Sequence, residues 1–210
     1  GDWSSDVCSS DLPLQNLAAV LGFCRQANDP EGFGLGARSI AISTAGWLPG
    51  IAALSREPLQ LKLAVSLHAP DDALRSELMP VNRRYPIAEL MGALRAYREE
   101  TRRRVYVEYL LLDRVNDRVE QAGRLADLLH EHLPGGHHVN LIVYNPTAPG
   151  LTGSATERVA RFREAEVNRF WPAVWRRWAA AIVLALAIAW AADAGYVWAV
   201  RPYATELAAL

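Results

Sequence analysis

The stretch 62–70, KLAVSLHAP, constrains the fold of this chain more than any other part of the sequence. It begins with the apolar run LAV, which is typical of a strand buried on both faces. It then changes to the polar residues Ser66 and His68, and Asp71 follows as a helix-start signal. Polar residues between a buried parallel strand and a helix lie where α/β folds place ligand sites. The stretch therefore predicts a strand, a turn that binds a ligand, and a helix.

Two other apolar segments end in the same way, and helical segments separate them. SIAIS ends on Ser43, VNLIVYN ends on Asn145, and a further strand is predicted over 104–112. Alternation of strands and helices predicts a parallel sheet. Because four strands cannot close an eight-stranded barrel, we expect an α/β fold that forms the arc of a partial (βα) TIM-like barrel. One ligand would lie across several strand ends.

Helical periodicity and start signals predict five helices. They lie from Pro13 onward, over 48–54, over 71–78, from Pro86 and from Asp117, which we expect to be an N-cap. The expected buried faces are Leu14, Leu17, Ala18, Leu21 and Cys24 in the first helix, Ile87, Leu90, Met91, Leu94 and Tyr97 in the fourth, and Val119, Ala122, Ala126 and Leu129 in the fifth.

The amino-acid sequences of these segments, and their order along the chain, resemble those of one enzyme family. The segments are PLQN, GFGLGARSIAISTAG, LAVSLHAPDDALRSELMPVNRRYPI, VEYLLLDRVND and VNLIVYNP, and together they cover about 13–165. They are similar to the radical S-adenosylmethionine enzymes of the RlmN/Cfr type, which methylate C2 of an adenine in 23S ribosomal RNA. The resemblance implies a radical S-adenosylmethionine type of partial barrel in a cytoplasmic, monomeric enzyme, with transfer RNA as a second candidate substrate.

The resemblance also implies where the cofactor binds. The family's contacts to S-adenosylmethionine match Ser43, the triplet Ser66, Leu67 and His68, and Asn145. Hydroxyls, an amide and exposed backbone groups at strand ends suit the polar groups of that cofactor. The alternative is that Ser66 and His68 only cap the helix that follows them.

The family's chemistry requires residues that this chain lacks. A 4Fe-4S cluster needs three closely spaced thiolates, and the family's CxxxCxxC motif would lie upstream of residue 13. The sequence contains only Cys8 and Cys24. We therefore assign no catalytic residue and no metal ligand, and we expect the polypeptide as written to be inactive.

Both ends of the chain depart from the family pattern. Residues 1–12 have no apolar periodicity and match a translated sequencing adapter, so we interpret them as an artefact. Residues 166–210 form an unrelated segment in which 178–200 is a candidate transmembrane helix with flanking arginines. The alternative function is accordingly a ligand-binding module that 178–200 anchors to a membrane; the alternative for 178–200 itself is a buried soluble helix.

Charge gives no strong indication of a partner, because the formal net charge is −1. Local basic runs could still contact RNA phosphates, and the candidates are Arg83, Arg84, Arg102, Arg103 and Arg104. A solvated basic surface is the alternative. Side chains alternate between the two faces of a strand, so in the strand over 104–112 Glu108 lies on the face opposite its buried neighbours. The sequence assigns Glu108 no role.

Overall fold

The computed structural model describes residues 13–146 and 151–167, and the fold is that of these ranges. Four parallel strands form one sheet in the order β1-β2-β3-β4, which is also their order along the chain. The strands are β1 (Ala41–Thr44), β2 (Lys62–Ser66), β3 (Val105–Leu111) and β4 (His137–Val143). The predicted parallel α/β architecture is confirmed.

Helices connect the strands and cover one face of the sheet. They are α1 (Leu17–Asn28), α2 (Leu48–Ser55), α3 (Asp72–Leu78), α4 (Ile87–Thr101) and α5 (Val119–His132), and residues 156–167 are also helical. Short 3-10 turns occupy Pro13–Asn16, Ala37–Ser39 and Pro80–Arg83. The first α-helix begins at Leu17, four residues after the predicted start at Pro13, because a 3-10 turn occupies the residues between them. The other strand and helix boundaries differ from the predicted ones by at most two residues, which is the usual uncertainty at frayed ends.

Burial alternates from one residue to the next along β3, so the sheet has one face covered by helices and one open face. In β3 the side chains at 105, 107, 109 and 111 are at most 1% exposed, whereas those at 106, 108 and 110 are partly exposed. The register pairs Ser66 with Glu108 and Glu108 with Asn140, so these residues lie side by side on the open face. The sheet thus presents a partly polar surface opposite the helices.

The apolar stripes predicted for the helices form most of the core. All five predicted residues of α4 are buried, as are Leu14, Leu21 and Cys24 near the amino end. In the same region Ala18 is exposed and Leu17 is only partly buried, because α1 presents a narrower stripe to the core than predicted. Strand β2 is buried at three successive residues (63, 64 and 65), as its apolar run predicted.

Two details predicted for α5 are wrong. Asp117 does not cap this helix; Arg118 is the N-cap, and its backbone N–H donates to the side chain of Gln121. The carboxyl group of Asp117 instead accepts hydrogen bonds from the backbone N–H of Arg114 and from the hydroxyl of Ser154. Val119 is 48% exposed, so it does not belong to the buried face.

The predictions for the two ends lie outside the described residues. These are the adapter-derived segment 1–12 and the candidate membrane helix 178–200. Neither 13–146 nor 151–167 contains a helix with the length and apolar character that a bilayer span requires. The helical stretch 156–167 runs through the predicted boundary at 165, and that boundary stays a prediction.

Candidate functional site at the carboxyl edge of the sheet

The parallel sheet places the predicted polar residues at one edge. Ser43 lies next to the last residue of β1, Ser66 is the last residue of β2, and His68 follows two residues later. Asn145 lies two residues beyond the end of β4 and is exposed. Because all four strands run in the same direction, these residues share the carboxyl edge.

Glu108 connects the two serines and is the residue that sequence reasoning missed. Its Oε2 atom accepts a hydrogen bond from the hydroxyl of Ser43 at 3.1 Å and from that of Ser66 at 3.4 Å. The three residues therefore form a polar group across three adjacent strands, which we call the serine–glutamate cluster. Its oxygens suit hydroxyl, amine and amide groups of a ligand. The alternation in β3 already indicated that Glu108 faces away from the core.

His68 is held in one orientation and one protonation state. Its Nδ1 atom accepts a hydrogen bond from the backbone N–H of Leu110 at 3.1 Å, which leaves the proton of the neutral ring on Nε2. Burial, together with the charge of Arg75, lowers the pKa of His68 to about 4. The ring is therefore a neutral donor near pH 7. Its backbone has the left-handed φ of 59°, which is uncommon for a residue with a side chain.

The alternative role for Ser66 and His68, capping of the next helix, is wrong. The N-cap of α3 is Asp71, whose Oδ1 atom accepts from the backbone N–H of Leu74 at 3.0 Å. Ser66 and His68 bond instead to β3, through Glu108 and Leu110.

The backbone groups of Leu67 were expected to be exposed and to contact the ligand, but they are not free to do so. Its side chain is fully buried in the core. Its N–H donates to the carbonyl oxygen of Glu108, and its own carbonyl oxygen accepts from Arg75. Both backbone groups therefore have partners within the protein, so Leu67 anchors the turn between its two polar neighbours.

Arg75 fixes the segments that follow β1 and β2. Its side chain is fully buried, and burial lowers its pKa to about 10, so the guanidinium remains charged near pH 7. It donates to the carbonyl oxygens of Ala45 (2.8 Å), Ser66 (3.2 Å) and Leu67 (3.2 Å). It also donates to Oδ1 of Asn82 at 2.7 Å. A buried cation with this many acceptors holds the two strand ends at a fixed separation.

Asn116 has the corresponding role between β2 and β3. Its side chain is fully buried and accepts from the backbone N–H of Leu112 at 2.7 Å. Its amide group donates to the carbonyl oxygens of His68 (2.8 Å) and Leu110 (2.6 Å). It therefore fixes His68 through the backbone, while Leu110 fixes the ring.

The five arginines named as candidate RNA contacts separate into two groups, of which Arg83 and Arg84, at the end of the 3-10 turn after α3, form the first. Arg84 lies over the rings of Trp47 and Tyr85, with its guanidinium carbon 5.0 Å and 5.4 Å from the two ring centroids. Arg102, Arg103 and Arg104 precede β3 and so lie at the amino edge, opposite the serine–glutamate cluster. The two groups cannot form a single surface around the carboxyl edge.

Comparison with known proteins identifies relatives of this chain. A scan against models of protein families finds no match. A probable dual-specificity RNA methyltransferase RlmN of Chloroflexus aurantiacus is 57% identical over 157 residues, which cover 72% of this chain and 42% of the relative. The RlmN of Symbiobacterium thermophilum is 49% identical over 160 residues, which cover 75% of this chain and 42% of the relative. The segment is homologous to these RlmN proteins over about three quarters of its own length.

Solved structures support the same relationship. A radical SAM methyltransferase from Sphaerobacter thermophilus matches with a TM-score of 0.70 and 49% identity, covering 75% of this chain and 46% of that one. A domain of a pyruvate-formate lyase-activating enzyme from Bacteroides vulgatus matches with a TM-score of 0.54 at 16% identity, which shows the fold alone. The chain spans less than half the length of the curated relatives above.

Proposed function

We propose that this chain is part of an RNA methyltransferase that binds S-adenosylmethionine at the carboxyl edge of its sheet. The observation that carries the proposal is the serine–glutamate cluster, which joins three adjacent strands through Ser43, Ser66 and Glu108. The fold supports it, since parallel α/β sheets bind ligands at this edge. The identity to RlmN relatives supports the reaction class.

Each residue of the site has a binding role in this proposal. The carboxyl oxygens of Glu108 accept hydrogen bonds from hydroxyl or amine groups of the cofactor, and the serine hydroxyls add donors and acceptors beside them. His68 donates from Nε2, and Asn145 offers an amide at the end of β4. Leu67 is a positioning residue. When bound, S-adenosylmethionine supplies the transferred methyl group.

The described residues do not fit an iron–sulfur cluster. Such a cluster takes three or more thiolates, whereas the cysteine within the described ranges is Cys24, which is buried on α1. Residues 13–146 and 151–167 also contain no group of three or more histidine, cysteine, aspartate or glutamate side chains that could hold a metal ion. We assign the 4Fe-4S cluster to the intact RlmN-type enzyme.

The finer features of the proposal come from the resemblance and from the names of the relatives. They are an adenine C2 of 23S ribosomal RNA as the substrate, transfer RNA as a second substrate, and a cytoplasmic monomer. The sheet would be the arc of a partial (βα) barrel over 13–165. Its parallel order and its likeness to the structure of a radical SAM methyltransferase support this assignment.

Binding of S-adenosylmethionine to the full 210-residue chain tests the proposal. We expect calorimetry to detect binding that Glu108→Gln weakens by about tenfold and Ser66→Ala by several-fold, because each loses a hydrogen bond in a partly buried site. Ser55→Ala is the matched control, since Ser55 lies at the end of α2 and bonds only to Ala52 in the described structure. Absence of binding, or equal weakening by the Ser55 variant, would show that the proposal is wrong.

A further inference from the structure

A cavity of about 560 Å³ lies at the amino edge of the sheet, opposite the serine–glutamate cluster. The residues that line it come from the segments just before β1, β2 and β3 and from the first residues of β2 and β3. Five of them are cationic: Arg38, Lys62, Arg102, Arg103 and Arg104. Its volume lies within the range of ligand pockets.

Among the described residues, no acidic group balances the charge of this cavity. No aspartate or glutamate of 13–146 or 151–167 lines it, and none of its five cations takes part in an ion pair between these residues. The whole chain nevertheless has a formal net charge of −1. The structure therefore concentrates positive charge at one site, which creates a local positive potential that attracts anions.

Several contacts hold these cations in place around the cavity. Nε of Arg38 donates to Oε1 of Gln60 at 2.7 Å, and Nη2 of Arg103 donates to the carbonyl oxygen of Glu57 at 3.1 Å. Nζ of Lys62 lies 5.5 Å from the centroid of the Tyr106 ring. An anion that enters the cavity therefore meets cations whose positions are already restricted.

Arg102 is an unusual residue for its position. It ends α4 in the left-handed conformation, with a φ of 58°, where glycine is the common residue. A side chain in this conformation costs free energy, and such residues cluster at functional sites. An arginine thus lies at the cavity in a backbone conformation that glycine would adopt with less strain.

We propose that this cavity binds backbone phosphates of RNA, as a second contact on the side of the sheet opposite the cofactor edge. The proposal rests on the RNA methyltransferase function proposed above. Five cations that form no ion pair with another described residue line one cavity, which suits a chain of phosphates with several negative charges at regular spacing. Contacts of this kind position RNA without reading its sequence.

The test measures how the full chain binds a fluorescein-labelled single-stranded RNA of 20 nucleotides as the NaCl concentration rises. The variant is Arg102→Gln/Arg104→Gln; both side chains are exposed and have no described side-chain hydrogen bond. The matched control is Arg161→Gln/Arg163→Gln, which removes the same charge from the exposed side of the helical stretch 156–167.

We expect the slope of log K against log salt to decrease in magnitude by about 1.4 in the cavity variant, since each phosphate contact with a single strand contributes about 0.7. The affinity at low salt should fall about tenfold. The control should keep the wild-type slope, and Arg102→Lys/Arg104→Lys should restore most of it. Equal changes in the control and the cavity variant, or no change in either, would overturn the proposal.

Competition with inorganic pyrophosphate separates an RNA site from a site for free phosphate. We expect pyrophosphate to displace the RNA only at concentrations far above that of the RNA itself. If pyrophosphate binds the wild type tightly while RNA binding is the same in both double variants, the cavity is a free-phosphate site and the proposal is wrong. S-adenosylmethionine binding should be unchanged in the cavity variant, so the two proposals can fail separately.

Discussion

Nη2 of Arg75 donates a hydrogen bond to the carbonyl oxygen of Ala45 at 2.8 Å, which ties α3 to the segment after β1. The same guanidinium binds the carbonyl oxygens of Ser66 and Leu67 after β2. One buried cation therefore sets the distance between two parts of the candidate site.

We expect Arg75→Met to lower the free energy of unfolding by at least about 3 kcal/mol, because it leaves two buried and two partly buried acceptors without their donor. Urea unfolding followed by circular dichroism measures this change. Arg124→Met is the matched control: Arg124 is exposed, and its ion pair with Asp71 at 3.3 Å should contribute less than about 1 kcal/mol. Similar losses in the two variants would contradict the role given to Arg75.

Gly46 and Gly92 should respond to alanine in opposite directions. Gly46 has a φ of 107°, and a Cβ there would lie 3.3 Å from Nη2 of Arg75 and from Cδ1 of Leu90. Gly46→Ala should therefore destabilise the protein by about 1–3 kcal/mol. Gly92 lies within α4 with open space around it, so Gly92→Ala should stabilise by about 0.5–1 kcal/mol. Denaturant midpoints of the same sign would refute this pair of predictions.

His68 should make the protein less stable in mild acid. The pKa of His68 is lowered in the folded protein, from its ordinary 6.5 to about 4, so between these values the unfolded chain binds a proton that the folded chain does not. The free energy of unfolding should therefore fall as the pH decreases from about 6.5 to 4, by up to about 3 kcal/mol.

The test compares urea unfolding at pH 7, 6 and 5 for the wild type and His68→Gln. Burial also lowers the pKa of His137, which adds a pH dependence in the same direction to both proteins. The difference between the two slopes isolates His68, and the wild type should have the steeper one. Parallel slopes would mean that His68 titrates normally in the folded protein.

Asn116→Ala should both destabilise the protein and weaken cofactor binding. The substitution removes bonds to Leu112, His68 and Leu110, and we expect a loss of at least about 2 kcal/mol. Asn16→Ala is the control, because Asn16 is exposed, makes no side-chain cap hydrogen bond to α1 and should change stability by less than about 0.5 kcal/mol. Unfolding measurements and S-adenosylmethionine titrations of both variants, made well below the unfolding midpoint, check the two effects.

The sequence predicted the sheet well because its strands carry local signals. The apolar runs that end on Ser43 and Ser66 correspond to β1 and β2, and alternation placed Glu108 on the correct face of β3. The N-cap at Asp117 was predicted wrongly because the carboxylate of an aspartate before a helix can accept hydrogen bonds either from the helix or from nearby loops. Its partners Arg158 and Ser154 lie far along the chain, where sequence spacing gives no information.

The candidate site was only partly predictable for the same reason. The polar strand ends were visible, but the partners of Glu108 are 65 and 42 residues away, and only the strand register brings them together. Arg75 looked like an ordinary polar residue of a short helix. Its burial depends on carbonyl groups of two other segments, which no helical pattern describes.

The order β1-β2-β3-β4 has a consequence for how the chain folds. Each strand pairs with the strand that precedes it along the chain, so the sheet can grow from its amino end as the polypeptide emerges from the ribosome. The connection from β2 to β3 is the longest, because it contains both α3 and α4. Closing that loop has the largest entropic cost. We therefore expect the docking of β3 onto β2 to limit the rate of folding.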